Sequence, residues 1–466
     1  KTRGHYPAQL KALEIVAAAP GSPESESLAR ERDAIVALAG TDAFKNLLRL
    51  FMQQERAKKL KYGSPGNVLP IARTAMIGAG VMGSGIAQWI AARGLRVVLR
   101  DIDVARVASG MANIARLYSA GVKRHIFTPL EARDGADRIF PTATEVSLTR
   151  EDLVIEAAVE KIELKKKIFA RLDELAGSDT ILATNTSALS IAEIASATKN
   201  PGRVIGIHFF NPVHQMQLVE IGVASQTRPE VVQRVLRFVQ KIGKLPLMVK
   251  DSPGFLVNRI LLPYLIEATH FFESGARVED IDEAMLDFGM PMGPLRLIDE
   301  VGVDVAADVA ATLAASFSGR MRFSAALSKM IGAGLLGRKS GRGFYIHERG
   351  KKERVNDALG QFRQETAASA LDRDELQKRM ALLMVNEAAR CVEEQIVSGP
   401  EDVDFGMVMG TGFAPFRGGP LRFADSRGVA KTVEDLSNLA DVAASHFAPC
   451  VLLQEMARDG KNFYGN

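Results

Sequence analysis

A chain of 466 residues is longer than one hydrophobic core normally supports, so two or three domains are expected. Hydrophobic content of 47%, charged content of 24% and a net charge of +4 describe an ordinary globular protein and give no reason to propose nucleic acid, although a local basic patch would suffice for a phosphate-bearing small molecule. Two cysteines, Cys391 and Cys450, cannot build a disulfide framework, which points to a reducing compartment.

The chain opens on Lys1-Thr2-Arg3 without Met or a signal-peptide pattern, and reads as a fragment or a processed product. Residues 5–62 are predicted helical, broken at Pro20-Gly21-Ser22-Pro23, with Phe44, Leu47, Leu48, Phe51 and Met52 at helical spacing. Ser64-Pro65-Gly66-Asn67 reads as a linker. The stretch from Thr74 to Ala92 carries no charge, yet Gly78, Gly80, Gly83 and Gly85 make it a nucleotide loop rather than a membrane span.

From Arg73 to about Lys250 short apolar runs alternate with helical stretches. Ala75-Met76-Ile77, Val97-Val98-Leu99, Leu153-Val154-Ile155, Ile181-Leu182-Ala183 and Val204–Ile207 are predicted as buried strands, with Ile162–Leu175 and Glu230–Ile242 among the helices between them. Unbroken apolar strands alternating with helices imply a parallel, doubly wound sheet covered on both faces.

After Asp251-Ser252-Pro253-Gly254 the strand signal stops and an internal repeat begins. Arg259 through Glu267-Ala268 lines up with Arg379 through Glu387-Ala388, and Glu279–Asp282 with Glu401–Asp404. Gly293-Pro294-Leu295-Arg296 with Asp299 and Gly302 matches Gly419-Pro420-Leu421-Arg422 with Asp425 and Gly428. A duplicated all-α unit follows, able to pair with itself inside one chain as two subunits would in a dimer. The expected division is 1–70 linker helices, 71–250 Rossmann-like α/β domain, 251–350 first helical domain and 351–466 second.

Gly78-Ala79-Gly80-Val81-Met82-Gly83 is a G-x-G-x-x-G between a strand and a helix. Its glycines permit a tight turn, close approach of a pyrophosphate and close helix–strand packing. Asp101 ends the next strand, where a carboxylate binds a ribose 2′-hydroxyl and repels a 2′-phosphate, so NAD is favoured over NADP. Arg100 beside it should point elsewhere by strand alternation. His208 ends the strand Val204–Ile207, where ligands gather in parallel sheets, and imidazole suits proton transfer near neutrality. Glu220, an acid among apolar residues, needs a partner; bonding to the second ring nitrogen would fix the tautomer. Spacing leaves open a His208 satisfied in the core and a Glu220 paired with a surface lysine. Ser187 follows another strand end and either donates to a substrate oxygen or, with Ser190, caps the helix Ile191–Ala197. Asn258 is an amide in an apolar helix start, a substrate carbonyl being one of several partners it could take. The remaining histidines lack metal-ligand spacing, so no metal is expected. Met285, Met290 and Met292 read as core filler.

Together these residues resemble the L-3-hydroxyacyl-CoA dehydrogenase family. The likeness runs through Gly78–Gly83, Asp101, Glu156-Ala157-Ala158-Val159-Glu160, Asn185-Thr186-Ser187, His208-Phe209-Phe210-Asn211-Pro212, Glu220, Asp251–Phe255, Asn258-Arg259 and Gly341–Tyr345. It implies that His208 is the general base and Glu220 its orienting partner, with Ser187 and Asn258 on the reacting oxygen. It also implies that Glu160, Lys165 and Asn211 lie around the nicotinamide half of NAD, and that Met82, Ala158 and Val159 line the cofactor. A helical pair after Asp101 would contact CoA, with Lys123-Arg124-His125 the basic cluster for its phosphates, unless that cluster is a solvated face.

The implied reaction is oxidation of L-3-hydroxyacyl-CoA to 3-oxoacyl-CoA in fatty-acid β-oxidation. The duplicated helices and N-terminal linker resemble the multifunctional form, in which an enoyl-CoA hydratase domain precedes the dehydrogenase; a thiolase subunit as a further partner is left open. Bacterial cytoplasm is the expected setting, with peroxisome or mitochondrion as alternatives. Two rival readings are a dehydrogenase of free hydroxy acids or sugar acids and a non-catalytic NAD-binding scaffold.

Overall fold

The computed structural model describes residues 2–63, 68–317, 319–321, 324–348, 350–363 and 372–465. The linker Ser64-Pro65-Gly66-Asn67 lies outside the described residues. Three helices come first: α1 (Pro7–Ala18), α2 (Glu24–Ala39) and α3 (Asp42–Lys58). The proline break falls where the sequence puts it. A second break, at Gly40-Thr41, carries no proline; Thr41 Oγ1 accepts from Phe44 N at 3.2 Å and so caps α3.

The alternating region folds as β1 (Arg73–Ile77), α4 (Val81–Ala92), β2 (Arg96–Arg100), α5 (Val104–Lys123), α6 (Pro129–Asp137), β3 (Ile139–Thr142), β4 (Leu153–Glu156) and α7 (Ile162–Leu175). It continues with β5 (Ile181–Thr184), α8 (Ile191–Ala195), β6 (Val204–Phe209), β7 (Leu218–Val223), α9 (Pro229–Lys241) and β8 (Leu245–Lys250). The uncharged Thr74–Ala92 stretch is thus β1, a glycine turn and α4; among the described residues no helix is long and apolar enough to cross a membrane.

Eight strands form one sheet in the order β3-β2-β1-β4-β5-β6-β7-β8. The sheet is parallel, as expected, at every junction but one: β7 runs antiparallel to β6. Residues 210–217 between them are too few for a crossover, which needs a dozen or more, so the chain must turn straight back. The two edge strands, β3 and β8, escaped the sequence reading because each contains a proline, Pro141 and Pro246. Proline is tolerated at an edge, where a missing N–H breaks no ladder and blunts further strand addition.

Residues Gln54–Leu256 form one compact unit; the chain up to Gln53, together with Val257–Asn466, forms a second. The second unit adds α10 (Val257–Glu273), α11 (Val278–Phe288), α12 (Pro294–Val301), α13 (Val303–Ser316), α14 (Ala325–Gly332), α15 (Arg373–Glu393), α16 (Pro400–Thr411), α17 (Pro420–Arg427), α18 (Val429–Val442) and α19 (Val451–Asp459). It is not wholly helical: β9 (Tyr345–Ile346) pairs antiparallel with β10 (Arg354–Val355).

The internal repeat is reproduced atom by atom. Asp282, on α11, accepts from Leu295 N, Arg296 N and the Tyr345 hydroxyl at 2.9, 3.2 and 2.6 Å. Asp404, on α16, accepts from Leu421 N, Arg422 N and the Tyr464 hydroxyl at 2.8, 3.0 and 2.7 Å. Asp299 takes the amides of Phe344 and Tyr345, and Asp425 those of Phe463 and Tyr464. The long helices of the two copies also exchange charges. Arg259 of α10 reaches Glu387 of α15, and Arg379 of α15 reaches Glu267 of α10. Such a reciprocal pattern, i to j and j to i, is the signature of a two-fold interface.

Burial pushes the Asp404 carboxyl up to about 7 and that of Asp282 up to about 6, against the pull of their three donors. Asp404→Ala leaves two amides at the start of α17 and a tyrosine hydroxyl without their acceptor. The expected cost is roughly 3 kcal/mol or more, and Asp282→Ala should cost a similar amount. Urea midpoints read this directly; a loss under about 1 kcal/mol for either would contradict the shared role.

Candidate active site

β1 ends at Ile77 and the chain turns at Gly78, whose φ of 101° lies in the left-handed region. A Cβ there would sit 2.7 Å from the Ala157 carbonyl oxygen, and one on Gly83 would overlap the Gly78 carbonyl. Only glycine lets the turn lie against the end of β4 and α4 start against the turn. Gly80 is exposed, with nothing within 4 Å of an added Cβ. That open side is where a pyrophosphate can meet backbone amides at a helix N-terminus. Asp101 is held at the same turn, accepting from Ala79 N and Ile102 N at 2.7 Å each. Arg100 turns instead to Glu145, 3.1 Å away, as alternation requires. The strand order reverses between β1 and β4, so the crevice at their carboxyl ends is a topological switch point. Turn, open glycine and carboxylate together fit NAD.

Beyond β4 lies a buried ionic cluster that the sequence did not reveal as such. Glu156, fully buried at the strand end, accepts from Lys165 Nζ at 2.7 and 2.9 Å, from Thr184 Oγ1 at 2.7 Å and from Ala158 N at 2.6 Å. Lys165 also lies 3.3 Å from Glu160. Glu160 in turn accepts from the Thr186 hydroxyl and, at 2.6 Å, from Ser187 N. The ammonium of Lys165 has no exposure, so it acts on its surroundings through the two glutamates. The visible signal was an acid closing an apolar strand and a lysine on the inner face of α7.

β5 leads into Asn185-Thr186-Ser187. Asn185 Oδ1 accepts from Phe209 N at 2.9 Å and ties this loop to β6. Ser190, not Ser187, caps α8, accepting from Glu193 N at 3.2 Å. On β6, His208 is 5% exposed and stands opposite Glu220 in the antiparallel register with β7. Its Nδ1 lies 2.8 Å from Glu220 Oε2, while Glu220 Oε1 accepts from Leu256 N at 3.1 Å. The imidazole rests against Phe210 and Phe255, with ring centroids 4.5 and 6.0 Å away. A carboxylate can only accept, so Nδ1 donates to Glu220, and in the neutral ring it is then Nε2 that presents the lone pair.

Parallel register aligns Ile77, Glu156, Thr184 and Gly206 across four strands. His208 lies just past that level, three strands from the glycine turn, roughly 14 Å at about 4.8 Å per strand. Met82 and Ala158 are half-buried, and Val159 and Asn211 exposed, along this carboxyl edge. Lys123, Arg124 and His125 are exposed at the end of α5, which packs with α6 as a helical pair. Asn258 lies at the start of α10, in the helical unit, and is half-buried. Met285 and Met290 are buried, and Met292 half-buried. Among the described residues no group of three or more His, Cys, Asp or Glu side chains is placed to hold a metal ion.

Residues 73–252 match the family described as 3-hydroxyacyl-CoA dehydrogenase, NAD binding domain, and residues 254–347 and 376–463 match its C-terminal domain. The chain belongs to the 3-hydroxyacyl-CoA dehydrogenase family. It is an NAD-dependent oxidoreductase of that family, and the two C-terminal matches coincide with the two copies of the repeat. The chain is 36% identical over 468 residues to a protein of Shewanella amazonensis named fatty acid oxidation complex subunit alpha, and spans 66% of that relative's length. It is similar to a solved 3-hydroxybutyryl-CoA dehydrogenase from Escherichia coli at 30% identity and a TM-score of 0.72, covering 84% of this chain and 99% of that one. A solved (S)-3-hydroxybutyryl-CoA dehydrogenase from Ralstonia eutropha is 40% identical with a TM-score of 0.57, covering 60% of this chain and 100% of that one.

The dehydrogenase depends on the charge pair inside its sheet. Glu156→Gln would leave Lys165 enclosed without its nearest carboxylate, at an expected cost of about 3–5 kcal/mol. Thermal melting of the purified variant checks this, and an unchanged midpoint would count against it.

Proposed function

We propose that this chain oxidises L-3-hydroxyacyl-CoA to 3-oxoacyl-CoA in fatty-acid β-oxidation, with His208 as the group that takes the hydroxyl proton. The observation that carries the reading is the buried His208–Glu220 pair, at the carboxyl edge that also bears the glycine turn and Asp101. Bound NAD⁺ supplies the hydride acceptor. Glu220 holds the imidazole in the tautomer whose Nε2 accepts the proton, and stabilises the imidazolium that results. Ser187 and Asn258 are assigned to the reacting oxygen, where donors placed in advance offset developing charge. Glu160 and Asn211 are assigned to the nicotinamide end, with Lys165 supporting Glu160 from behind. Asp101 takes the ribose hydroxyls, and Met82, Ala158 and Val159 line the cofactor path. The basic residues at Lys123 are assigned to the phosphates of CoA.

The division into linker helices, a sheet domain and two helical copies follows the same reading, with boundaries near residues 70, 250 and 350. The longer relatives, named as a subunit of a complex, support an assembly of this dehydrogenase with further components; an enoyl-CoA hydratase domain in the longer chain is proposed as one of them, and a thiolase subunit is left open as another. The bacterial sources of those relatives support a cytoplasmic setting.

Reduction of acetoacetyl-CoA by NADH is the direct assay. His208→Gln should lower kcat by roughly 10²–10⁴-fold while leaving NADH binding intact, and Glu220→Gln should lower it by about a hundredfold. Wild-type turnover in His208→Gln would sink the mechanism. A wild-type enzyme that reduces free acetoacetate as well as the CoA thioester would favour a hydroxy-acid dehydrogenase. Inactivity toward every acyl-CoA would favour a scaffold. Asp101→Ser should narrow the preference for NAD over NADP by about tenfold or more, read from kcat/KM with each cofactor.

A further inference from the structure

One buried cation in the sheet unit has no part in the chemistry described so far. Lys244, 2% exposed, immediately precedes β8. Its ammonium donates to the Val213 carbonyl and, at 2.6 Å, to the Met216 carbonyl. It also lies 3.8 Å from the centroid of the Trp89 ring, on α4. Arg93 covers the same indole at 4.1 Å, and Trp89 Nε1 donates to the Ile242 carbonyl at 2.9 Å. Among the described residues the charged or titratable groups facing Lys244 are Arg93 and His214, and no carboxylate joins them. Burial, then Arg93, pushes the ammonium down to about 7.

An ammonium buried without a counter-ion is expensive, and an apolar side chain of similar volume would serve packing at least as well. What the cation does hold is specific. Val213 and Met216 belong to the 210–217 connection, which leaves β6 just after His208 and enters β7 just before Glu220. Val213 lies against α4, its Cγ2 placed 3.3 Å from where a Cβ on Gly85 would stand. Trp89 lies one turn further along that same helix, which the dinucleotide turn opens. The ammonium therefore meets two carbonyls of the connection and one ring of the cofactor helix at a single point.

We propose that Lys244 is a positioning residue of the dehydrogenase: its ammonium locks the 210–217 connection to α4 and so fixes the His208–Glu220 pair relative to the dinucleotide turn. The proposal rests on the assignment of His208 as the proton acceptor. A displacement of an ångström at a reacting group costs on the order of a hundredfold in rate, so a lock of this kind shows in kcat before it shows in cofactor affinity.

The test compares wild type, Lys244→Met and His208→Gln in acetoacetyl-CoA reduction, with NADH affinity by fluorescence and amide exchange over 211–217. Lys244→Met is expected to lower kcat by roughly tenfold to a hundredfold, to leave the Kd for NADH within about threefold, and to speed exchange at 213–217. Should it fail to fold, Lys244→Gln, which keeps a neutral donor, carries the same readings with a smaller loss of kcat. A kcat within about twofold of wild type overturns the proposal. So does a loss of activity matched by an equal loss of NADH-binding sites, which is the mark of a purely structural role. If His208→Gln keeps wild-type turnover, the assignment of His208 fails and the proposal with it. If His208→Gln is inactive while Lys244→Met is normal, the positioning role alone fails.

Discussion

The proposed active site depends on one pairing, that of β7 against β6. Directly opposed residues of antiparallel strands bring their Cβ atoms to within about 5.5 Å, so the register His208↔Glu220 alone is enough to join the two side chains. A parallel β7 would need a crossover and would carry the acid elsewhere. The short connection between the strands is therefore the determinant of the His208–Glu220 pair. It also explains why the sheet departs from the parallel rule at this one junction. The carboxylate has no exposure and is further anchored by the Leu256 amide, so it cannot swing to water without forfeiting bonds it cannot replace. That fixity is what an orienting partner requires.

Much of this was legible in the residues because the physics at those positions is local. The glycine turn announced itself, since only glycine tolerates φ of 101° beside the Ala157 carbonyl. Apolar runs marked five of the six interior strands, β1, β2, β4, β5 and β6, and a histidine closing one of them marked the carboxyl edge. The features that escaped depend on distant partners. β3 and β8 carry prolines acceptable only because they became edges, which no local pattern states. Glu156 and Lys165 stood in view as an acid on a strand and a base on a helix, but their pairing depends on how α7 returns over the sheet. The aspartates of the repeat were aligned, yet the tyrosines that complete each cluster were not. The segment between them differs in length in the two copies, so Tyr345 and Tyr464 fall out of step with Asp282 and Asp404.

The fold places ionisable groups inside protein at the carboxyl edge and within the repeat, and in each case surrounds them with donors. Glu156 takes four hydrogen bonds, and Asp282 and Asp404 take three each. Such clusters add little to net stability against apolar replacements of the same shape, but they impose a unique arrangement, because a half-satisfied version is costly. For the proposed site, which has to align a base with a carbon–hydrogen bond, uniqueness matters more than stability. The same logic separates Lys244 from the other buried lysine and arginines among the described residues: Lys165, Arg203 and Arg259 have carboxylates, and Lys244 has carbonyls and an indole.

The duplicated helices raise the question of what a second copy contributes when all of the chemistry assigned to the sheet unit lies outside it. The crossed pairs Arg259–Glu387 and Arg379–Glu267 give a physical answer. A helix with a buried arginine and a buried glutamate spaced two turns apart is not a stable surface by itself; each charge needs its complement from an identical helix running the other way. Where two chains meet this need, the fold's stability depends on protomer concentration through mass action. Here the complement lies in the same chain, joined by the segment between α14 and α15, so the effective concentration is fixed by covalent connection. The two copies are then free to diverge wherever they do not touch each other. The unequal insertions between matched helices record that freedom, and the unchanged arginine and glutamate positions record the contact that denies it.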